Sequence, residues 1–194
     1  MQFALAANSN DANKHDGSRS DGAGGDVDHD SGDESSLPAA VEDPSDHAAV
    51  RVLMQRSRIA QLMKTIPQFR NILIIEDDQR DSDRLASTLR SIFGYEIKLR
   101  QCPTLGTALD AVLEDQPDLV FLDDRMGPVD KAEKSVPFLR TARCTATIII
   151  VSGYVDRRRR ADIMKLGVNE VIDKDELDGL TICQTLVKSQ AAKL

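Results

Sequence analysis

Residues 70–190 predict an α/β domain: a doubly wound, five-stranded parallel sheet. Three observations carry this. Short apolar runs recur from Asn71 onward, longer segments with helical spacing separate them, and three of the runs are apolar throughout, as in strands covered on both faces. Five β-α repeats in about 120 residues leave a sheet wound in both directions as the expected architecture.

The chain opens differently. Residues 1–47 hold eleven acids against two bases (Lys14 and Arg19), a net of −9. The remaining residues hold twenty-one acids and twenty-three bases, a net of +2, so the overall −7 belongs to the tail. Large apolar residues are almost absent between Ala12 and Ser36. Such a stretch buries too little surface to offset the entropy of ordering, and 1–47 is expected to be a disordered acidic tail. The three histidines (His15, His29, His47) all fall there; a weak metal site among the carboxylates and a merely polar tail both accommodate them. Met1 to Ala7 lacks a basic flank and a secretory-length apolar run, and no segment approaches the roughly 18 apolar residues of a membrane span. Cys102, Cys144 and Cys183 are an odd number without metal-ligand spacing, which suits free thiols in a reducing compartment. A soluble, cytoplasmic protein is expected.

From Asp46 to Thr65 the apolar residues Ala49, Val52, Leu53, Ile59, Met63 and Ile66 roughly follow one helical face among Arg51, Arg56, Arg58 and Lys64. This places an amphipathic linker helix at 48–66, stopped by Pro67. Docking on the domain, pairing with its copy in a homodimer, and a partly formed linker all remain open. Met63 is a second candidate translation start.

The strands expected next are Ile72 to Ile75, Ile97 to Leu99, Leu119 to Leu122, Ile148 to Val151 and Glu170 to Ile172. Helices are expected near Gln79 to Ile92, Thr104 to Asp115, Lys131 to Thr141, Asp156 to Leu166 and Glu176 to Ser189. Gly94, Pro117 and Gly167 fall where helices must end, and Thr104 and Asp156 where an N-cap oxygen meets free backbone N–H groups.

Open sheets of this kind bind ligands outside the carboxyl ends of their strands. Those ends carry Glu76, Asp77 and Asp78 after the first strand, Asp123 and Asp124 after the third, Ser152 and Gly153 after the fourth, and Lys174 after the fifth. Acids converging from two strands raise one another's pKa unless a cation joins them, and Mg²⁺, which needs only a few protein carboxylates, fits that role. A carboxylate beside such an ion, with a lysine and a hydroxyl nearby, is arranged to attack a phosphoryl group while the positive charges stabilise its oxygens.

These residues resemble a known family. Ile72-Leu-Ile-Ile-Glu-Asp-Asp78, Pro117-Asp-Leu-Val-Phe-Leu-Asp123, Ile148-Ile-Ile-Val-Ser-Gly153 and Gly167-Val-Asn-Glu-Val-Ile-Asp-Lys174 look like the receiver domain of two-component response regulators, over roughly Arg70 to Lys188. The resemblance implies a flavodoxin-like fold, Glu76 and Asp77 as the metal-binding pair, Asp123 as phosphoryl acceptor and metal ligand, and the Arg125 backbone carbonyl as a further ligand. It implies that Ser152 and Lys174 contact the phosphoryl group, that a histidine kinase or phosphotransfer protein donates it, and that output follows a two-state shift around the fourth helix, fifth strand and fifth helix.

The sequence also departs from that family. The loop from Asp124 to Arg140 is about four residues longer than usual. Asp175 stands where a proline is expected, so that either strain is stored there or the loop takes another path. Val171 replaces the customary Tyr or Phe, and any switch must act through different packing. Arg125 and Tyr154, two positions past Asp123 and Ser152, either hinder the hydrolytic water or point into solvent. The run Arg157 to Arg160 opens a helix against its dipole, which calls for an acidic partner, the acidic tail, or a solvated face.

The expected function is a phosphorylation-dependent signalling switch that catalyses only its own phosphorylation and dephosphorylation. About six residues follow Lys188 and the tail is acidic, so direct nucleic-acid binding is not expected, and output is assigned to protein contact. A phosphorylation-independent interaction module that retains the acidic pocket is the alternative. A metal-dependent phosphohydrolase needs a second acid two residues past the nucleophile, where Arg125 stands.

Overall fold

The computed structural model describes residues 44–127 and 130–191. Nearly all of the expected acidic tail, with His15 and His29, lies outside the described residues. The elements are α1 (Pro44–Met63), β1 (Asn71–Ile75), α2 (Gln79–Phe93), β2 (Lys98–Cys102), α3 (Leu105–Glu114), β3 (Leu119–Asp123), β4 (Arg125–Met126), β5 (Asp130–Lys131), α4 (Ala132–Thr141), β6 (Thr147–Ser152), α5 (Arg157–Met164), β7 (Glu170–Asp173) and α6 (Gly179–Ala191), with a 3₁₀ turn at Lys174–Glu176.

Five strands form one all-parallel sheet in the order β2-β1-β3-β6-β7. Alternate residues of its central strands feed two cores. On one face Leu73, Ile75, Val120, Leu122, Ile148 and Ile150 meet α3, α4 and α5 through Val112, Leu139 and Ile163. On the other, Ile72, Ile74, Leu119, Phe121 and Ile149 meet α2 and α6 through Leu85, Leu89, Ile182 and Leu186. Burial on both faces explains why β1, β3 and β6 read as unbroken apolar runs. The edge strand β2 is half exposed and polar, and it runs Lys98–Cys102 rather than Ile97 to Leu99 because pairing with Asn71–Ile75, not local hydropathy, sets its register.

The Thr104 and Asp156 caps are where the sequence places them. Thr104 forms a capping box with Thr107, and the Asp156 carboxylate accepts from the Arg159 N–H at 2.6 Å. Asp78 caps α2, accepting from the Arg80 and Asp81 N–H groups at 2.8 and 3.1 Å. Side chains also tie the lower ends of the sheet: Asp118 accepts from the backbone of Arg70 and Asn71 at 2.9 and 3.0 Å, and Arg140 donates to the Cys144 and Ala146 carbonyls at 2.7 and 3.0 Å.

Of the three roles open for the linker helix, docking describes the C-terminal half of α1. Ile59, Leu62 and Met63 pack on the α2/α6 core, and the Cys183 sulfur lies 3.9 Å from that of Met63. Gly179 permits the approach: a Cβ there would stand 3.4 Å from Ile59 Cδ1 and 3.6 Å from Ile92. The N-terminal half leaves Val50, Leu53 and Met54 exposed.

The extra residues after Asp123 form a miniature hairpin. Arg125–Met126 pairs antiparallel with Asp130–Lys131, and the Ala132 N–H returns to the Asp124 carbonyl at 3.0 Å. Gly127 turns the chain at φ 60°, a conformation that costs other residues strain, and its N–H donates to Asp77 Oδ2 at 2.9 Å. Residues 128–129 lie outside the described residues.

Candidate functional site

The carboxyl ends of β1, β3, β6 and β7 bring the predicted residues together. Glu76, Asp77 and Asp123 each offer a carboxylate oxygen, and these oxygens lie within 4.8 Å of one another. Glu76 and Asp123 are buried and Asp77 is exposed. Lys174 reaches them from the end of β7, its Nζ 2.7 Å from Glu76 Oε2 and 3.5 Å from Asp123 Oδ1. Asp123, Arg125, Ser152, Gly153, Tyr154 and Lys174 line an open cavity of about 270 Å³, large enough to hold a phosphoryl group and its waters.

The charges are in tension. Burial pushes the carboxyl pKa of both Glu76 and Asp123 up. Lys174 pulls each back down, while the Asp123 charge raises Glu76 and the Asp77 charge raises Asp123. Burial disfavours the Lys174 ammonium, but hydrogen bonds to Asp81 and Glu76 outweigh it and hold its pKa above the ordinary lysine value. Three oxygen ligands converging from two strands, with desolvated charges short of one cation, match what a hard divalent ion requires.

Two features of this pocket are not legible from the motifs. Asp81 accepts from Lys174 Nζ at 2.8 Å, closer than Asp123 does. The signal was present, since Asp81 lies four and eight residues before the buried Leu85 and Leu89, on the inward stripe of α2. Asp124, which follows the candidate acceptor, is buried and bound to Arg159: Arg159 Nε donates to Oδ2 at 3.0 Å and the guanidinium tip meets Oδ1. The same guanidinium bonds Glu133 of α4, and these two acids raise the Arg159 pKa against the opposing effect of burial. Arg159 stands one helical turn before buried Ile163, again on the inward stripe.

The arginine run is therefore only partly a solvated face. Arg159 pairs with Asp124 and Glu133, Arg160 pairs with buried Glu170, and Arg157 and Arg158 are exposed. The Ser152 hydroxyl also turns to Asp124: its Oγ lies 3.2 Å from Asp124 Oδ2 and 3.1 Å from the Tyr154 carbonyl. The Tyr154 and Arg125 side chains are exposed to solvent, and both residues also line the cavity beside Asp123.

After Lys174 the chain takes another path than a proline would dictate. Asp173 Oδ1 accepts the Asp175 N–H at 3.0 Å to cap the 3₁₀ turn, a bond proline cannot make, and Arg84 donates to the Lys174 carbonyl at 3.1 Å. Val171 is packed in the core beneath α5.

Comparison with known proteins bears on the family and the fold. The profile of the response regulator receiver domain matches residues 72–186. Among solved structures, the signal receiver domain of the DNA-binding response regulator merR from Colwellia psychrerythraea 34H is 26% identical with a TM-score of 0.54, covering 64% of this chain and 99% of that one. The receiver domain of the Francisella response regulator 1452 shares the fold at 16% identity and a TM-score of 0.53, over 62% of this chain and 97% of that one. A search of curated proteins finds no match. No helix among the described residues is long and apolar enough to cross a membrane. More than half of the chain matches the family profile over a five-stranded parallel sheet with an acidic cluster at its carboxyl edge, and the chain belongs to the response regulator receiver domain family of two-component systems.

Proposed function

We propose that Asp123 accepts a phosphoryl group from a histidine kinase or phosphotransfer protein, and that the domain passes the signal on by protein contact. One observation carries the reading: the Asp123 carboxylate is buried beside Glu76 and Asp77 with the Lys174 ammonium 3.5 Å away, in a cavity open to solvent. Glu76, Asp77 and Asp123, with the Arg125 carbonyl, would hold Mg²⁺, which when bound supplies positive charge to the transferring phosphoryl oxygens.

An Asp123 oxygen attacks phosphorus; the O–P bond forms as the P–N bond to the donor imidazole breaks, and the imidazole leaves with the electron pair. Lys174 is poised to exchange its Glu76 and Asp81 contacts for the new acyl phosphate, and Ser152 to donate its hydroxyl proton to a phosphoryl oxygen. Water later attacks phosphorus: its O–P bond forms as the Asp123 O–P bond breaks, inorganic phosphate leaves with water's proton passing to it or to solvent, and the Asp123 carboxylate is regenerated. The domain catalyses only these two steps on itself.

A phosphorylation-independent module draws support from one feature: Lys174 already sits nearer Glu76 and Asp81 than Asp123. Labelling with a small phosphodonor separates the two. The switch predicts a hydroxylamine-sensitive adduct that Asp123→Asn abolishes and Asp124→Asn retains. Label lost in Asp124→Asn alone would move the acceptor to Asp124.

A further inference from the structure

The Ser152 hydroxyl has one proton and two acceptors, the Asp124 carboxylate and the Tyr154 carbonyl. Asp124 is not a free partner. Its side chain is 2% exposed and held by Arg159, which is itself 19% exposed and extends from α5 to Glu133 on α4. One chain of charge-assisted bonds therefore runs from the hydroxyl through the residue beside Asp123 to two helices that no other described side-chain hydrogen bond or ion pair joins. The position that would otherwise carry an aromatic switch is Val171, packed in the core without a polar atom to move.

Building on the reading of Asp123 as acceptor, we propose that Asp124 and Arg159 are positioning residues: they retain the Ser152 hydroxyl in the unmodified state, and phosphorylation of Asp123 must draw Ser152 away from them. The loss of that bond leaves Asp124 with Arg159 alone, so modification is read at the α4–α5 contact made by Arg159 and Glu133. The physical basis is competition. Ser152 cannot donate its single proton both to Asp124 and to a phosphoryl oxygen, and a ligand whose competent state is only partly populated binds more weakly by that fraction.

The test is a double-mutant cycle read by affinity for beryllofluoride in the presence of Mg²⁺, with the full chain. Asp124→Asn keeps the shape of the side chain and weakens its hold on both Arg159 and the hydroxyl. It is expected to tighten beryllofluoride binding about three- to tenfold with Ser152 present, and to leave it unchanged in a Ser152→Ala background. An equal change in both backgrounds, no change, or weaker binding in the single variant overturns the proposal.

Glu133→Gln is the second variant, because it loosens Arg159 from an end that is 47% exposed and leaves the buried Asp124–Arg159 pair intact for folding. It is expected to shift the affinity in the same direction and by less, again only with Ser152 present, and a Ser152-independent shift contradicts the relay. Absence of any adduct in the wild-type protein is a different failure. It overturns the acceptor reading and this proposal with it, whereas an adduct with a flat cycle removes only the proposal.

Discussion

Replacing Asp123 by Asn is expected to stabilise the metal-free protein at neutral pH. The carboxylate oxygens of Glu76 and Asp77 lie within 4.8 Å of that of Asp123. At an effective dielectric of about 20, a like-charge pair at that distance costs about 3.5 kcal/mol, and less where solvent screens the exposed Asp77. Lys174 at 3.5 Å returns about 4.7 kcal/mol on the same scale. Up to roughly 2 kcal/mol of repulsion remains, and desolvation of a side chain only 8% exposed adds to it. The Asn variant loses both repulsions, while Lys174 keeps Glu76 and Asp81. Allowing for an imperfectly paired amide, we expect a gain of about 1–2 kcal/mol, or roughly 3–6 °C in melting temperature for a domain of this size. Thermal unfolding in EDTA at pH 7 measures it. Adding Mg²⁺ should raise the melting temperature of the wild type and do much less for the variant, since a ligand stabilises only the state that binds it. Destabilisation of metal-free Asp123→Asn would refute the reasoning, because it would mean that Lys174 more than neutralises the cluster.

Four further outcomes are expected. Burial raises the Glu76 and Asp123 pKa values, so the stability these groups contribute is fully present below the ordinary carboxylate range and is lost as pH rises through their folded values; the stability advantage of Asp123→Asn in EDTA should therefore widen from about pH 4 toward neutrality, and an advantage independent of pH contradicts it. Glu133 is shifted the other way, first by its hydrogen bond to Arg159, and that contribution should disappear as pH falls through its lowered folded value, seen as a flatter acid limb of the stability profile in Glu133→Gln. Gly179→Val should press on Ile59 and Ile92 and cost about 1–3 kcal/mol, with hydrogen exchange rising first in α1 while the central strands stay protected. Thr104→Ala removes the capping box of α3 and should cost about 1 kcal/mol by urea unfolding, with the metal response unchanged.

Much of the fold was legible because the strongest sequence signals report burial. β1, β3 and β6 are buried on both faces, so their apolar runs leave little choice of period, and the caps at Thr104 and Asp156 mark where helices must begin. β2 was legible only in part, since an edge strand takes its register from its neighbour. The hairpin of Arg125–Met126 with Asp130–Lys131 was invisible, because two-residue strands carry no periodicity. The acidic trio and Lys174 follow from strand order alone, as strand ends are where a parallel sheet gathers its ligands. Asp81 and Arg159 are different: each lies on the inward stripe of a helix, where a charge is informative only once its partner in a distant element is known. The Asp173 cap on Asp175 likewise replaces a proline-shaped loop by a hydrogen bond that motif comparison does not show.

The central claim is that Asp123 is the phosphoryl acceptor. Its most direct test is intact mass of the full chain after incubation with a small phosphodonor, with Mg²⁺ and with EDTA, followed by peptide mapping. A gain of one phosphoryl group is expected that requires Mg²⁺, maps to the peptide containing Asp123 and is absent from Asp123→Asn. A folded protein that gains no such group, or that gains it in Asp123→Asn, would contradict it.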